Sequence, residues 1–173
     1  MTFSKTSRHL AMALTLAGVT ALGSVGSAQA QSLEPWGSAE GWDIMVDPSL
    51  GNGCLITAEY QDGSVVRIGF DRTVGGGYVT VFNENWGYLE DGAIYPVSFD
   101  LDDQPYEGEA KGLYLGEVPG ADIAFDNPDF LFDIAKKYTM TIYNMDGAEV
   151  LAIDLAGTYV ALEGALECQE EMG

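Results

Sequence analysis

The stretch CLITAEYQDGSVVRIGFD, Cys54 to Asp71, carries two alternating apolar and polar runs on either side of an Asp62-Gly63 pair. A period of two lays one face of an extended chain against a core, and Asp-Gly between two such runs is the preferred chemistry of a tight hairpin turn. The pattern recurs in both directions. GWDIMVD, Gly41 to Asp47, alternates Trp42, Ile44 and Val46 with smaller or polar partners. Tyr78 to Phe82 and Ala93 to Leu101 read as further strands, with Pro96 marking an edge or a bulge in the second. Towards the end, YTMTIYN and EVLAIDL flank MDGA, so Asp146-Gly147 predicts another hairpin.

Two stretches break the period. In NPDFLFDIAKK, Asn127 suits a cap, Pro128 a first turn, and Lys136 and Lys137 a last one, which predicts a short helix. After Gly157, TYVALEGALECQEE predicts an amphipathic helix starting near Thr158, with Tyr159, Leu162 and Leu166 on one stripe and Val160 and Ala165 beside it. No internal repeat and no linker divides this region. The expected fold is mainly β: an antiparallel β-sandwich or small barrel with one or two short helices, including a C-terminal helix.

The first thirty residues read differently. Lys5, Arg8 and His9 precede the apolar run LAMALTLAGVTALG, and small residues follow, ending in Ala28-Gln29-Ala30. That order predicts a signal peptide over 1–30, cleaved before Gln31, and a single acidic β-rich domain over 31–173. The apolar run is short for a membrane span, so no stable membrane insertion is expected after cleavage, and the expected location is periplasmic or secreted. Losing 1–30 removes two of the seven basic residues and none of the 27 acidic ones, which takes the net charge from −20 to −22. Such a field disfavours nucleic acid and favours a basic protein or other cationic partner.

The leader also holds the only histidine, His9. Catalytic sets and zinc sites built on imidazole therefore have no ligand in the remaining chain. Cys54 and Cys168 are the only cysteines. Their wide separation does not match C-x-x-C redox or zinc spacing, and in an oxidising compartment two thiols tend to pair. A Cys54–Cys168 disulfide is expected, with buried free thiols and a reactive thiol as the alternatives. Gly75, Gly76 and Gly77 lack the lysine and serine of a phosphate-binding loop and read as a strand connection.

Acidic residues cluster in SFDLDDQPYEGE, where Asp100, Asp102, Asp103, Glu107 and Glu109 offer oxygen ligands suited to calcium. The stretch lacks the glycine and terminal glutamate positions of an EF-hand, so its ordinary reading is a solvated acidic loop. Asp122, Asp126, Asp129 and Asp133 fall partly on different helical faces. Glycosidase chemistry needs two opposed carboxylates, and Glu59, Asp71 and Asp100 are among many equivalent candidates. No G-x-S-x-G motif is present, and no catalytic residue or cofactor is assigned. Trp86, Tyr88, Tyr95, Tyr106 and Tyr114 read as core or cross-strand partners, with a groove lining as the alternative.

The Trp42 strand behind a signal peptide, the two C-terminal hairpin strands and LAGTYVALEGAL, Leu155 to Leu166, resemble bacterial periplasmic proteins of the invasion-associated locus B type. Members carry additional central cysteines that this chain lacks. The resemblance implies a bacterial envelope protein of β-rich fold and assigns no functional residues. The functional expectation is an exported, nonenzymatic binding or interaction module for a cationic partner. A structural or stress-related envelope protein is one alternative, and a carboxylate-based hydrolase or calcium-dependent module is another.

Overall fold

The computed structural model describes residues 32–87 and 89–173, so the expected leader, Gln31 and Tyr88 lie outside the described residues. Ten strands are formed: β1 (Glu34–Ala39), β2 (Trp42–Asp47), β3 (Gly53–Glu59), β4 (Val65–Asp71), β5 (Gly76–Phe82), β6 (Ile94–Leu101), β7 (Gln104–Leu115), β8 (Val118–Phe125), β9 (Thr139–Tyr143) and β10 (Glu149–Asp154). Among the described residues two α-helices accompany them, α1 (Phe130–Ala135) between β8 and β9 and α2 (Thr158–Glu171) after β10.

All ten strands belong to one antiparallel sheet in the order β1-β2-β3-β4-β5-β8-β7-β6-β9-β10. The sheet is mainly β as expected, and it is not closed, because β1 and β10 do not pair. It curls instead. Trp42, Ile44 and Val46 of β2 share one core with Met140 of β9, Ile153 of β10 and Leu155 behind it. Two hydrogen bonds tie the ends together: Trp42 Nε1 donates to the Ala156 carbonyl at 3.0 Å, and Tyr60 Oη donates to the Asp154 carbonyl at 2.6 Å.

The hairpins at Asp62-Gly63 and Asp146-Gly147 form where expected, and each is built as a turn with one extra residue. Tyr60 N donates to Ser64 O and Asn144 N to Ala148 O, while Gly63 and Gly147 hold φ of 80° and 75°, the left-handed residue that ends a three-residue hairpin loop. The tighter two-residue turns lie elsewhere. Asp102 and Asp103 both hold positive φ, 48° and 66°, between the paired residues Leu101 and Gln104. This corrects the reading of SFDLDDQPYEGE as a solvated loop, since the stretch is the β6–β7 hairpin. Aspartate tolerates the left-handed region because its short side chain bonds locally. The Asp102 carboxylate bonds further along the chain, accepting from Tyr138 N and Thr139 N at 3.0 Å each, which anchors the start of β9. Asp102→Ala is expected to lose about 1–2 kcal/mol in chemical unfolding, and Asp102→Asn, which keeps an acceptor and the turn preference, distinctly less.

Pro96 sits where its missing N–H does no harm. β6 pairs with β7 along its length but with β9 only from Ser98 to Leu101, so Pro96 borders a free edge. The glycines differ from expectation: Gly76 and Gly77 lie inside β5, and a Cβ on Gly77 would fall 2.8 Å from Leu131 Cδ1, so α1 packs directly on that strand.

The Cys54–Cys168 disulfide forms, linking β3 to α2 with Cα atoms 6.1 Å apart. The helix begins at Thr158 as predicted, but its buried face is Thr158, Ala161, Leu162, Ala165 and Cys168. Tyr159, Val160 and Leu166 are exposed, a correction to the predicted stripe. The small residues win because α2 lies close to the sheet: a Cβ on Gly164 would fall 2.6 Å from Ile44 Cδ1. Small side chains permit that approach, and the disulfide fixes which face points inward.

Candidate functional site

The helices do not fill the whole inner face. Beyond Leu131, the row Val79, Ile123, Ala110 and Tyr95 runs in register across β5, β8, β7 and β6 and forms the floor of a cavity of about 540 Å³. Trp86 and Leu89 wall one side, Ile142, Met145 and Val150 the other. Its size falls within the range of about 300–1,000 Å³ used for small-molecule sites, which are lined mostly by apolar groups.

Small residues open this space. Along β7 the inner face carries Gly108, Ala110 and Gly112, beside Ala121 of β8. At Gly108 a Cβ would lie in ordinary contact with Phe99 Cε1 at 3.6 Å and Ile123 Cγ2 at 3.8 Å, so there is room for a methyl group that the chain does not supply. At Gly112 a Cβ would fall 2.5 Å from the Glu90 carbonyl oxygen, and this close approach seats the loop that forms the rim. Two tyrosines hold the same loop: Tyr114 Oη donates to the Leu89 carbonyl at 2.6 Å, and Glu90 N donates to Tyr95 Oη at 2.9 Å. Buried Asn83 fastens its start, donating to Ser64 Oγ at 2.8 Å and accepting from Asn85 N at 2.7 Å.

The aromatic residues therefore divide. Trp86 and Tyr95 line the cavity and Tyr114 ties its rim. Tyr106 belongs to the core, stacked on Phe99 with ring centroids 5.2 Å apart. Tyr88 lies outside the described residues. The mouth continues as a shallow groove over Pro96 and Val97 to Glu107 and Glu109, with Asn144 and Met145 on its other bank. Met145 is 74 % exposed there, a large apolar side chain standing in water beside carboxylates.

The calcium candidates are placed apart. Asp100, Asp102 and Asp103 share a shallow cleft with Tyr138 and Tyr143, whereas Glu107 lies in the groove at the cavity mouth. Asp102 already accepts two backbone N–H groups, and among the described residues no three acidic or cysteine side chains converge as metal ligands. Glu59 and Asp71 stand at opposite ends of the β3–β4 hairpin, and Asp71 caps its own turn by accepting from Thr73 N at 2.8 Å.

Asp122 lies on the other face of the sheet, accepting from Thr80 Oγ1. Burial pushes its carboxyl above the ordinary value, and the Thr80 hydroxyl and Lys111 ammonium offset this only in part. The folded chain thus holds the proton more tightly than the unfolded chain. Its contribution to stability falls as pH rises from the ordinary aspartate value near 3.9 through the folded one, and stays low above it. Asp122→Asn, which keeps an acceptor for Thr80, is expected to be more stable than the parent at pH 7. In unfolding curves taken across pH, that advantage disappears below about pH 3.5.

No protein-family model matches the chain, and no curated protein matches it. Among solved structures, its fold is similar to that of invasion associated protein B from Bartonella henselae, with a TM-score of 0.57. The two are 12 % identical over 81 % of this chain and 99 % of the other. At that identity the likeness concerns the fold alone, and it agrees with the β-rich architecture that the sequence resemblance implies.

Proposed function

We propose that the protein is an exported envelope protein of the invasion-associated locus B type that works as a binding module. It takes an apolar side chain of a cationic polypeptide into the inner cavity and holds the adjoining basic residues on the acidic groove. The observation that carries this reading is the apolar cavity, which shares Pro96, Val97, Asn144 and Met145 with a groove that reaches the outward-facing Glu107 and Glu109 at the free edge of β6. The net charge, −20 for the full chain and −22 without residues 1–30, supplies the field that draws such a partner in. Apolar burial supplies the affinity, at about 25 cal/mol per Å² removed from water, and the carboxylates select for basic neighbours.

A short peptide alternating leucine and lysine serves as the probe in a fluorescence titration. Its binding is expected to weaken as salt rises, since the Debye length falls from about 30 Å at 0.01 M to about 8 Å at 0.15 M. Ala110→Phe, which fills the cavity floor, is expected to weaken binding at least tenfold, and Glu107→Gln with Glu109→Gln to flatten the salt dependence. A leucine and glutamate peptide that binds equally well, or an Ala110→Phe variant that binds unchanged, overturns the proposal.

A further inference from the structure

The outer face of the same sheet carries a second cleft, of about 470 Å³, separated from the inner cavity by the strands themselves. Its floor is a polar row in register across four strands: Arg67 of β4, Thr80 of β5, Asp122 of β8 and Lys111 of β7. Phe82 stands beside it because Gly120 leaves room: a Cβ on Gly120 would fall 2.3 Å from Phe82 Cδ1. The Arg67 guanidinium is held over that ring at 5.1 Å from its centroid, and its buried Nε has no hydrogen-bond partner.

Basic residues are scarce in this chain, seven against 27 acidic ones, so their placement is informative. Arg72 donates to the Gly173 carbonyl oxygen, and Lys136 pairs with Asp133 at 3.2 Å, the one ion pair among the described residues. Arg67, Lys111 and Lys137 have no such partner, and the first two line this cleft. A guanidinium held over an aromatic ring is fixed in orientation, and its planar set of N–H donors fits a carboxylate. A phosphate dianion fits poorly, because Asp47, Asp71, Asp91 and Asp126 line the same cleft and Asp122 stands in the row beside Lys111. Those carboxylates suit a ligand that carries an ammonium as well, and Leu50, Val74 and Leu113 offer apolar contact to a side chain between the two charges.

We propose that the outer cleft binds a free α-amino acid with an aliphatic side chain, its carboxylate on Arg67 within the positive field of Lys111 and its ammonium towards Asp47 and Asp71. The two opposed charges on one small molecule distinguish this site from the inner cavity, which lacks a cation.

Isothermal titration with L-leucine tests it, alongside N-acetyl-leucine, which lacks the ammonium, and leucinamide, which lacks the carboxylate. L-leucine is expected to bind saturably and both derivatives at least tenfold more weakly. Arg67→Gln is expected to lose at least tenfold in affinity. Lys111→Gln removes an exposed charge, keeps the parent melting temperature and is expected to lose a few fold, which decides the matter should Arg67→Gln fail to fold. Ala110→Phe, on the inner face, leaves leucine binding unchanged, so this site and the proposed peptide site stand or fall separately. Absence of saturable heat with L-leucine, equal binding of either derivative, or unchanged affinity in Lys111→Gln overturns the proposal.

Discussion

Replacing Cys54 and Cys168 together by alanine is expected to lower the unfolding free energy by about 4–5 kcal/mol, a large part of the stability of a domain this size. The bridge spans 114 positions, and in the chain-entropy account a loop on the order of 100 residues stabilises by about 4.7 kcal/mol. Both residues are fully buried, so the variant also gives up the packing of two sulfur atoms. Guanidinium unfolding of the oxidised parent and the double variant measures the difference. The denaturant dependence should steepen in the variant, because an unfolded chain without the cross-link exposes more surface. A loss under 1 kcal/mol would show that the unfolded parent chain gains little freedom when the bridge is absent.

Trp42→Ala is expected to cost a further 3–5 kcal/mol when made alone, the range for deleting a buried large aromatic side chain. Trp42 is 3 % exposed, packs edge-on against Tyr60 with centroids 6.4 Å apart, and donates its indole N–H to the Ala156 carbonyl. The alanine removes packing and also leaves that carbonyl unsatisfied. Trp42→Phe restores most of the packing and none of the hydrogen bond, so its smaller loss, about 1–2 kcal/mol, isolates the polar part. Thermal and chemical unfolding of both variants provide the comparison.

Strands in which large inner residues alternate with polar partners were legible in the sequence; β7, whose inner residues are small, and β8, whose Ile123 and Phe125 stand among acidic residues, were not. β2, β3, β4, β9 and β10 announce themselves through Trp42, Ile44, Ile56, Ile68, Met140 and Ile153 alternating with polar partners. β7 presents Gly108, Ala110 and Gly112 inward, which leaves almost no apolar signal. Its period of two survives only in the outward charges Glu107, Glu109 and Lys111, which read as an acidic loop. The cavity was missed for the same reason, since it exists because those inner side chains are absent. The row Arg67, Thr80, Asp122 and Lys111 was equally hidden, because β5 and β8 became neighbours only through a register that no local pattern states. In α2 the apolar stripe misled by size: Tyr159 and Leu166 outweigh Ala161 and Ala165 in hydrophobicity, yet close helix packing selects the smaller pair.

The seal over the early strands arrives late in synthesis. β2 and β3 carry Trp42, Ile44, Val46 and Cys54 on a face that α2 covers, and the cysteine on that helix lies 114 positions further along the chain. Folding therefore depends on long-range closure, and proteins dominated by such non-local pairings fold in milliseconds to seconds. Until α2 docks, the N-terminal hairpins expose an apolar surface with nothing to hide it, the condition in which nascent chains aggregate or recruit chaperones. A polypeptide whose first strands are covered by a helix more than a hundred positions away cannot complete its core until that helix has been made.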